Sequence, residues 1–147
     1  MVKKIYIAND HAAVDLKNIL VDYLKSKGIE VINLGTDTKD SVHYPEYAKK
    51  LAQKILSDEE ALGILMCGTG IGMSISINRY KGIRAALCYN EYTAKMARAH
   101  NNANVLVMGG RVVGPELAKS IVDTFLDGEF EGGRHQIRID MIDELVE

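Results

Sequence analysis

The segment from Leu62 to Ser76, with the sequence LGILMCGTGIGMSIS, decides the fold. Its first residues, 62–66, form a short apolar run that predicts a strand buried on both faces of a parallel sheet. A glycine-rich turn, 68–72, follows Cys67, and a small apolar stretch with a helical pattern comes next. Because the first N–H groups of a helix have no partner inside the helix, a strand, a glycine turn and a helix in this order predict a loop that binds an anion or an oxyanion.

Cys67 stands at the start of this glycine loop. The dipole of the following helix favours a thiolate at this place, so Cys67 is a candidate base or nucleophile. The alternative is that Cys67 only fills space in the core, as free cysteines usually do, and we expect this of Cys88. The loop has neither the Lys-Ser/Thr ending of a P-loop nor the glycine spacing of a dinucleotide-binding loop, so by itself it indicates an anion and nothing more specific.

Length and composition favour one compact domain, residues 1–147. The chain has 147 residues, of which 47% are hydrophobic and 26% charged, enough for a core without disulfides or metal. The formal net charge of -2 gives no reason to expect nucleic acid or an anionic membrane as a partner. Two cysteines and the lack of a long apolar stretch predict neither a disulfide framework, a signal peptide nor a transmembrane helix. We therefore expect a cytoplasmic protein.

Strand-like runs alternate with amphipathic, helical patterns along the whole chain. The predicted strands cover 3–8, 30–34, 62–66, 84–88 and 105–108, and helices follow from about residues 15, 45, 73, 91, 115 and 135. Gly28 is placed to end the first helix, and Pro45 and Pro115 to open two others. The alternation predicts an α/β fold, in which right-handed crossovers build a parallel sheet with helices on both sides.

Ligands of such sheets bind beyond the carboxyl ends of the strands. The predicted carboxyl ends carry Asn9-Asp10-His11, Cys67-Gly68-Thr69, Tyr89-Asn90 and Gly109-Gly110-Arg111. His100-Asn101-Asn102 instead ends a helix, which need not bring it to the same edge. One Asp-His pair after a strand is more often a helix cap than a site, but several polar segments at one edge predict a ligand.

The C-terminal segment adds two cations. Arg134 and Arg138 are four residues apart, so both guanidinium groups lie on one helix face and could hold a phosphate, with Arg111 as a candidate neighbour. The alternative is a solvated face, on which the arginines pair with Asp140, Asp143 and Glu144. The four histidines show no metal-ligand spacing, so no metal site is predicted.

Together these motifs resemble the type B ribose-5-phosphate isomerases and the related galactose-6-phosphate and allose-6-phosphate isomerases. The resemblance runs nearly from end to end. It is carried by Asn9-Asp10-His11-Ala12, Tyr44-Pro45, Cys67-Gly68-Thr69-Gly70-Ile71-Gly72, Gly82-Ile83-Arg84-Ala85, His100-Asn101, Gly109-Gly110-Arg111-Val112-Val113-Gly114 and Glu131-Gly132-Gly133-Arg134-His135.

The resemblance implies a Rossmann-like αβα sandwich with a five-stranded parallel sheet and a C-terminal helical arm, in a homodimer or a higher oligomer. It also implies that ribose 5-phosphate and ribulose 5-phosphate, metabolites of the pentose phosphate pathway, are interconverted through an enediolate without metal or cofactor. Cys67 would be the base. The N–H groups of Gly68, Gly70, Ile71 and Gly72 would stabilise the enediolate oxygen.

The resemblance assigns the remaining polar residues to the sugar and its phosphate. His100 and Thr69 would open the sugar ring, and Asp10 would hold a hydroxyl or help proton transfer. Asn101 would contact the sugar. The phosphate would be held by His11, Arg111, Arg134 and Arg138. Whether Arg134 and Arg138 act in their own subunit or across the interface stays open, and we expect the latter.

One branch of the family uses a glutamate after the glycine loop as its base. Met73 takes that place here, so the sequence belongs with the cysteine branch. A six-carbon sugar phosphate remains an alternative substrate, because pocket length is not visible in the sequence. A non-catalytic sugar-phosphate-binding module is less favoured, and a thiol redox protein is disfavoured because Cys-x-x-Cys is absent.

Overall fold

A computed structural model describes residues 2–146 and contains one five-stranded, all-parallel sheet with the strand order β2-β1-β3-β5-β4. The strands are β1 (Lys4–Asn9), β2 (Glu30–Asn33), β3 (Leu62–Cys67), β4 (Ala85–Leu87) and β5 (Val105–Gly109). The helices are α1 (Val14–Ser26), α2 (Tyr44–Leu56), α3 (Ile71–Ile77), α4 (Glu91–Ala99), α5 (Pro115–Asp127) and α6 (Arg134–Glu144), and a short 3-10 turn (His11–Ala13) precedes α1. The predicted α/β class is confirmed.

Helices cover both faces of the sheet, and this explains the continuous apolar strands. In β1, Ile5 and Ile7 pack on the face covered by α1, α4 and α5, whereas Tyr6 and Ala8 pack on the face covered by α2 and α3. Successive side chains of a strand point to opposite faces, so a strand buried on both sides needs apolar residues throughout. All six residues of β3 are buried for this reason.

The helix boundaries follow local sequence signals. Gly28 has φ +79° just after α1, a left-handed conformation that glycine adopts without strain. Pro45 and Pro115 lie in the first turns of α2 and α5, where a missing N–H group removes no helical hydrogen bond. The predicted starts and ends are therefore confirmed to within one or two residues.

Lys17 fixes the loop after β2. Its side chain is 0% exposed, and its Nζ donates to Asn33 Oδ1 at 3.3 Å and to the Thr36 carbonyl at 3.0 Å, besides pairing with Asp37. The hydrogen bond from Lys17, with a second one from Asn33, lowers the pKa of the Asp37 carboxyl. The loop thus held passes so close to Asn9 that only a glycine fits at position 35: a Cβ there would lie 1.9 Å from Asn9 Oδ1.

Among the helices, α6 has the smallest share of buried residues. Only His135 and Ile139 of its side chains are buried, whereas Ile137, Met141 and Ile142 are 65%, 43% and 54% exposed. The helices formed by residues 2–146 are too short or too polar to cross a bilayer. The apolar side chains of α6 therefore lie on an open surface of the chain.

The loops after β3 and β5 are joined by backbone contacts. Gly110 N–H donates to the Cys67 carbonyl at 2.8 Å, and Arg111 N–H donates to the Gly68 carbonyl at 3.0 Å. A Cβ on Gly109 would lie 2.5 Å from the carbonyl carbon of Thr69. The loop at Cys67 can therefore keep its position only while residue 109 is a glycine.

This contact predicts a position-specific loss of stability. Gly109→Ser should lower the free energy of unfolding by ~1–3 kcal/mol, because the added atoms overlap the Thr69 backbone. Gly114→Ser is the matched control: its Cβ meets no atom within 4 Å, and serine suits the N-cap of α5. Urea unfolding of both variants measures the effect. Equal stabilities would contradict the packing described here.

Candidate functional site

Two neighbouring strands, β1 and β3, define the place where a ligand is expected. The chain leaves β1 toward one edge of the sheet to form β2, and then crosses back to form β3 on the other side of β1. At such a switch point the loops diverge and leave a crevice beyond the carboxyl ends. Asn9 pairs with Met66 and Cys67 pairs with Gly109, so the segments that follow β1, β3 and β5 lie side by side.

The loop 67–72, called here the Cys67 loop, lines this crevice at the carboxyl end of β3. Cys67 is the last residue of β3 and is 6% exposed. Gly70 takes φ +82° as the N-cap of α3, and Thr69 Oγ1 accepts a hydrogen bond from Ile71 N–H at 3.2 Å. A Cβ on Gly70 would lie 2.6 Å from Leu87 and 3.0 Å from the Met108 backbone, so the loop depends on glycine for both conformation and space.

Two tyrosines hold the Cys67 loop from its sides. The Tyr89 hydroxyl donates a hydrogen bond to the Thr69 carbonyl. Burial raises the pKa of Tyr89, and the charge of a Cys67 thiolate raises it further, so the phenol stays protonated and remains a donor. The ring of Tyr44 lies against Gly72, where a Cβ would come within 2.8 Å of it. Tyr89 was expected at this edge without a role, and its part in fixing the loop is visible only in the structure.

Asp10 and His11 follow β1 beside the loop. Asp10 N–H donates to the Met66 carbonyl at 3.0 Å, and Asp10 Oδ1 caps the 3-10 turn by accepting from Ala12 N–H at 3.0 Å. The helix-cap alternative for Asp10 is thus realised. Its second carboxylate oxygen accepts no hydrogen bond from residues 2–146. His11 Nδ1 accepts from Val42 N–H at 3.1 Å, which places the proton of the neutral ring on Nε2 and makes that atom a donor.

Arg111 completes this first group. Its Nη1 lies 3.4 Å from the position that a Cβ of Gly68 would occupy, so the guanidinium lies over the start of the Cys67 loop. The structure therefore brings together the following sequence-predicted residues: Asp10, His11, Cys67, Gly68, Thr69, Gly70, Ile71, Gly72 and Arg111. A thiol, a carboxylate, a ring N–H and a guanidinium can serve a small anionic substrate that undergoes proton transfer.

The remaining sequence-predicted residues form a second group around His100, at the end of α4. The His100 ring stacks on the ring of His135, with centroids 4.2 Å apart and planes 10° apart. His100, Asn101, His135 and Arg138 line a cavity of about 340 Å³. Arg134 begins α6, and neither it nor Arg138 forms an ion pair with a carboxylate of residues 2–146. The alternative in which Asp140, Asp143 and Glu144 neutralise these arginines is not realised.

The two groups lie at opposite edges of the sheet. Helix α4 starts after β4 at the carboxyl edge and returns to the amino edge, where Asn104 accepts a hydrogen bond from Gly63 N–H at the start of β3. Cys67 is five residues along β3 from Leu62 at this edge. In an extended strand, five residues correspond to a distance of about 16 Å. His100 therefore does not belong to the same pocket as Cys67 within one chain, and Arg138 is not a neighbour of Arg111.

Two residues of the second group had no role assigned from the sequence. Glu131 N–H donates to the Ala99 carbonyl at 3.0 Å, and Glu131 Oε1 lies 3.7 Å from His100 Nε2 and 3.5 Å from His135 Nε2. The i,i+4 spacing of Glu131 and His135 is a weak signal by itself. Their approach to His100, 31 positions earlier than Glu131, depends on the tertiary fold.

The two cysteines differ in their surroundings. Burial raises the pKa of Cys88, partly offset by a hydrogen bond with the Thr93 side chain, and Cys88 packs in the core. Cys67, also a free thiol, ends its strand at the carboxyl edge beside the Thr69 and Arg111 segments. The space-filling interpretation therefore fits Cys88 but does not account for the polar groups around Cys67.

Comparison with known proteins places the chain in a family. The sequence model of the family described as Ribose/Galactose Isomerase matches residues 5–142. Ribose-5-phosphate isomerase B of Escherichia coli is 47% identical over 140 residues, which cover 95% of this chain and 94% of that protein.

Two solved structures show the same fold. A ribose 5-phosphate isomerase from Thermotoga maritima superposes with a TM-score of 0.95 at 59% identity, covering 98% of this chain and 99% of that one. Ribose-5-phosphate isomerase B from Mycoplasma genitalium was solved with bound ribulose 5-phosphate. It superposes with a TM-score of 0.92 at 44% identity, covering 97% of this chain and 95% of that one. The predicted Rossmann-like fold is confirmed by both.

Proposed function

The chain belongs to the ribose/galactose isomerase family, and we propose that it is an aldose–ketose isomerase that interconverts ribose 5-phosphate and ribulose 5-phosphate. The observation that carries this proposal is the position of Cys67, at the carboxyl end of β3 and the start of a glycine loop fixed by β5. The names and the bound ketose of its relatives support the substrate. The chain acts as a single domain, without metal or cofactor.

The reaction needs a base and a stabilised oxyanion. The Cys67 thiolate removes the proton from the carbon next to the aldehyde and returns it to the former aldehyde carbon. The hydroxyl proton on the first carbon passes to the former aldehyde oxygen, so that the first carbon becomes the ketone. The oxygen of the enediolate that forms between these steps takes hydrogen bonds from the N–H groups of Gly68, Gly70 and Gly72. The Ile71 N–H joins them when it releases Thr69 Oγ1, to which it donates in the free protein. The backbone contact at Gly109 and the hydrogen bond from the Tyr89 hydroxyl hold this loop in place before substrate arrives, so its backbone is preorganised for the reaction.

The neighbours of Cys67 bind the two ends of the sugar. The free oxygen of Asp10 accepts a hydrogen bond from a sugar hydroxyl, because its other oxygen is engaged by Ala12 N–H. His11 donates through Nε2 to the phosphate, since Val42 N–H occupies Nδ1. The Arg111 guanidinium supplies a charge-assisted bond to the same phosphate.

Ring opening requires the second group, and that group comes from another copy of the chain. Thr69 lies in the Cys67 loop, but its partner in ring opening, His100, lies at the far edge of the same chain with Asn101, Arg134 and Arg138. The exposed Ile137, Met141 and Ile142 give α6 an apolar surface on which a second copy can pack. We therefore assign the protein to homodimers with sites shared between subunits, in a reducing cytoplasm where both cysteines stay free.

An isomerase assay on purified protein tests the proposal. Ribose 5-phosphate should be converted to ribulose 5-phosphate with a higher kcat/KM than allose 6-phosphate or galactose 6-phosphate, and unphosphorylated ribose should react poorly because it lacks the group that His11 and the arginines bind. A preference for a six-carbon sugar phosphate would make the protein an isomerase of that sugar phosphate, which is the alternative within the same family. Binding of ribose 5-phosphate without turnover of any sugar phosphate would indicate a non-catalytic binding module.

The proposed role of Cys67 as the base predicts a large loss of turnover when this residue is replaced. Cys67→Ala should lower kcat by ~10²-fold or more, because general-base catalysis is lost. Binding of ribulose 5-phosphate, measured by calorimetry, should change little, since Asp10, His11 and Arg111 are intact.

Cys88→Ala is the matched control. It removes the other thiol, whose packing in the core predicts some loss of stability but a kcat within a few-fold of the unmodified protein. A Cys67→Ala variant that keeps more than about a tenth of kcat would exclude this thiol as the base.

A further inference from the structure

Glu131 and His135 converge on His100, and the isomerase chemistry proposed above uses neither of them. His135 has a side chain only 10% exposed, and Glu131 Oε1 lies near the edges of both rings, 3.7 Å from His100 Nε2 and 3.5 Å from His135 Nε2. One ligand atom from each of the three residues lies within 4.8 Å of the other two. Two imidazoles and one carboxylate are a donor set typical of zinc sites.

Two of the three separations between ligand atoms are close to those around a tetrahedral ion. Bonds of zinc to nitrogen and oxygen place neighbouring ligand atoms about 3.4 Å apart. The two imidazole–carboxylate separations exceed this value by only a few tenths of an ångström. The rings are nearly parallel, so the His100 ring must turn to aim its lone pair at an ion held by the other two residues. Its side chain is 39% exposed, which leaves room for this rotation.

The backbone frame of the cluster exists without an ion. Glu131 is tied to the end of α4 by its N–H bond to the Ala99 carbonyl at 3.0 Å. Gly132 and Gly133 then take positive φ angles, +69° and +58°, and turn the chain into α6. His135 is therefore brought back beside Glu131, and an ion would have to order only side chains.

We propose that His100, Glu131 and His135 form a binding site for a divalent transition-metal ion of the Zn²⁺ type. Mg²⁺ and Ca²⁺ prefer oxygen ligands and are disfavoured by the two imidazoles. Arg138 lines the same cavity and opposes a bare cation, but it favours a negatively charged fourth ligand such as chloride or phosphate. The site leaves that fourth position open toward the cavity.

The consequence for activity rests on the proposed function. A ring nitrogen of His100 that binds Zn²⁺ cannot take part in opening the sugar ring, so the occupied site inhibits the isomerase. The ion is thus an inhibitor that catalysis does not need, and a chelator restores activity to protein loaded with zinc.

Binding is tested first and without any turnover. Zinc is titrated into the intact protein in a non-coordinating buffer, with equilibrium dialysis and metal analysis, and MgCl₂ serves as the control ion. We expect one Zn²⁺ per chain, with affinity lowered at least ~10-fold in Glu131→Gln and in His135→Asn. Glu131 is 57% exposed and makes no side-chain hydrogen bond among residues 2–146, so the Glu131→Gln variant tests the site without disturbing the core.

Two further variants separate this site from other zinc ligands. His43→Gln removes a histidine outside the cluster, and Cys67→Ser removes the thiol at the carboxyl end of β3; both should bind zinc as the unmodified protein does. Absence of stoichiometric binding would overturn the proposal, as would a loss of binding in Cys67→Ser with full binding in Glu131→Gln. Full turnover with zinc bound would overturn the inhibitory role and count against His100 in ring opening, whereas the binding site itself would stand.

Discussion

The close contact between the end of β5 and the Cys67 loop is the constraint on which the site depends. Gly109 leaves no room for a side chain against Thr69, and two backbone hydrogen bonds join the two loops beside it. The parallel register places Cys67 opposite Gly109, so the sheet itself determines where the thiol lies. Because backbone atoms at the end of a buried strand hold the Cys67 loop, the N–H groups of the loop keep fixed positions. Preorganisation of this kind is what stabilisation of a developing oxyanion requires.

A second constraint follows from the direction of α4. A helix that follows a parallel strand must return to the amino edge before the next parallel strand begins. His100, at the end of α4, is therefore kept away from Cys67 by the same connectivity that builds the sheet. Helix α6, the C-terminal arm that carries Arg138, packs beside His100 through His135 and leaves most of its apolar side chains exposed. Separation of the groups and exposure of the arm both support the proposed homodimer, in which each copy would complete the other's site in a symmetric arrangement.

The fold could be predicted from the sequence in nearly all its elements because local signals and burial agree. The strands buried on both faces are apolar throughout, and Gly28, Pro45 and Pro115 mark helix ends by their backbone properties alone. The Cys67 loop was predictable for the same reason, because alternating glycines between a buried strand and a helix are typical of a loop that binds an anion. The approach of Glu131 to His100 could not be predicted, because it depends on how α6 packs after two glycines with positive φ. The hydrogen bond from Tyr89 to the loop is likewise a tertiary contact without a local signal.

The most direct test of the shared site is complementation between two inactive variants, Cys67→Ala and His100→Ala. If the site combines residues of two chains, a mixed dimer has one site with both defects and one with neither. Subunit exchange should then restore about a quarter of the activity per chain, because half of the dimers are mixed and half of their sites are intact. Pairing Cys67→Ala with Asp10→Ala, which lies in the same group, should restore nothing. No recovery in the first mixture, with mixed dimers verified by mass spectrometry, would contradict the shared site and place His100 and Cys67 in unrelated roles.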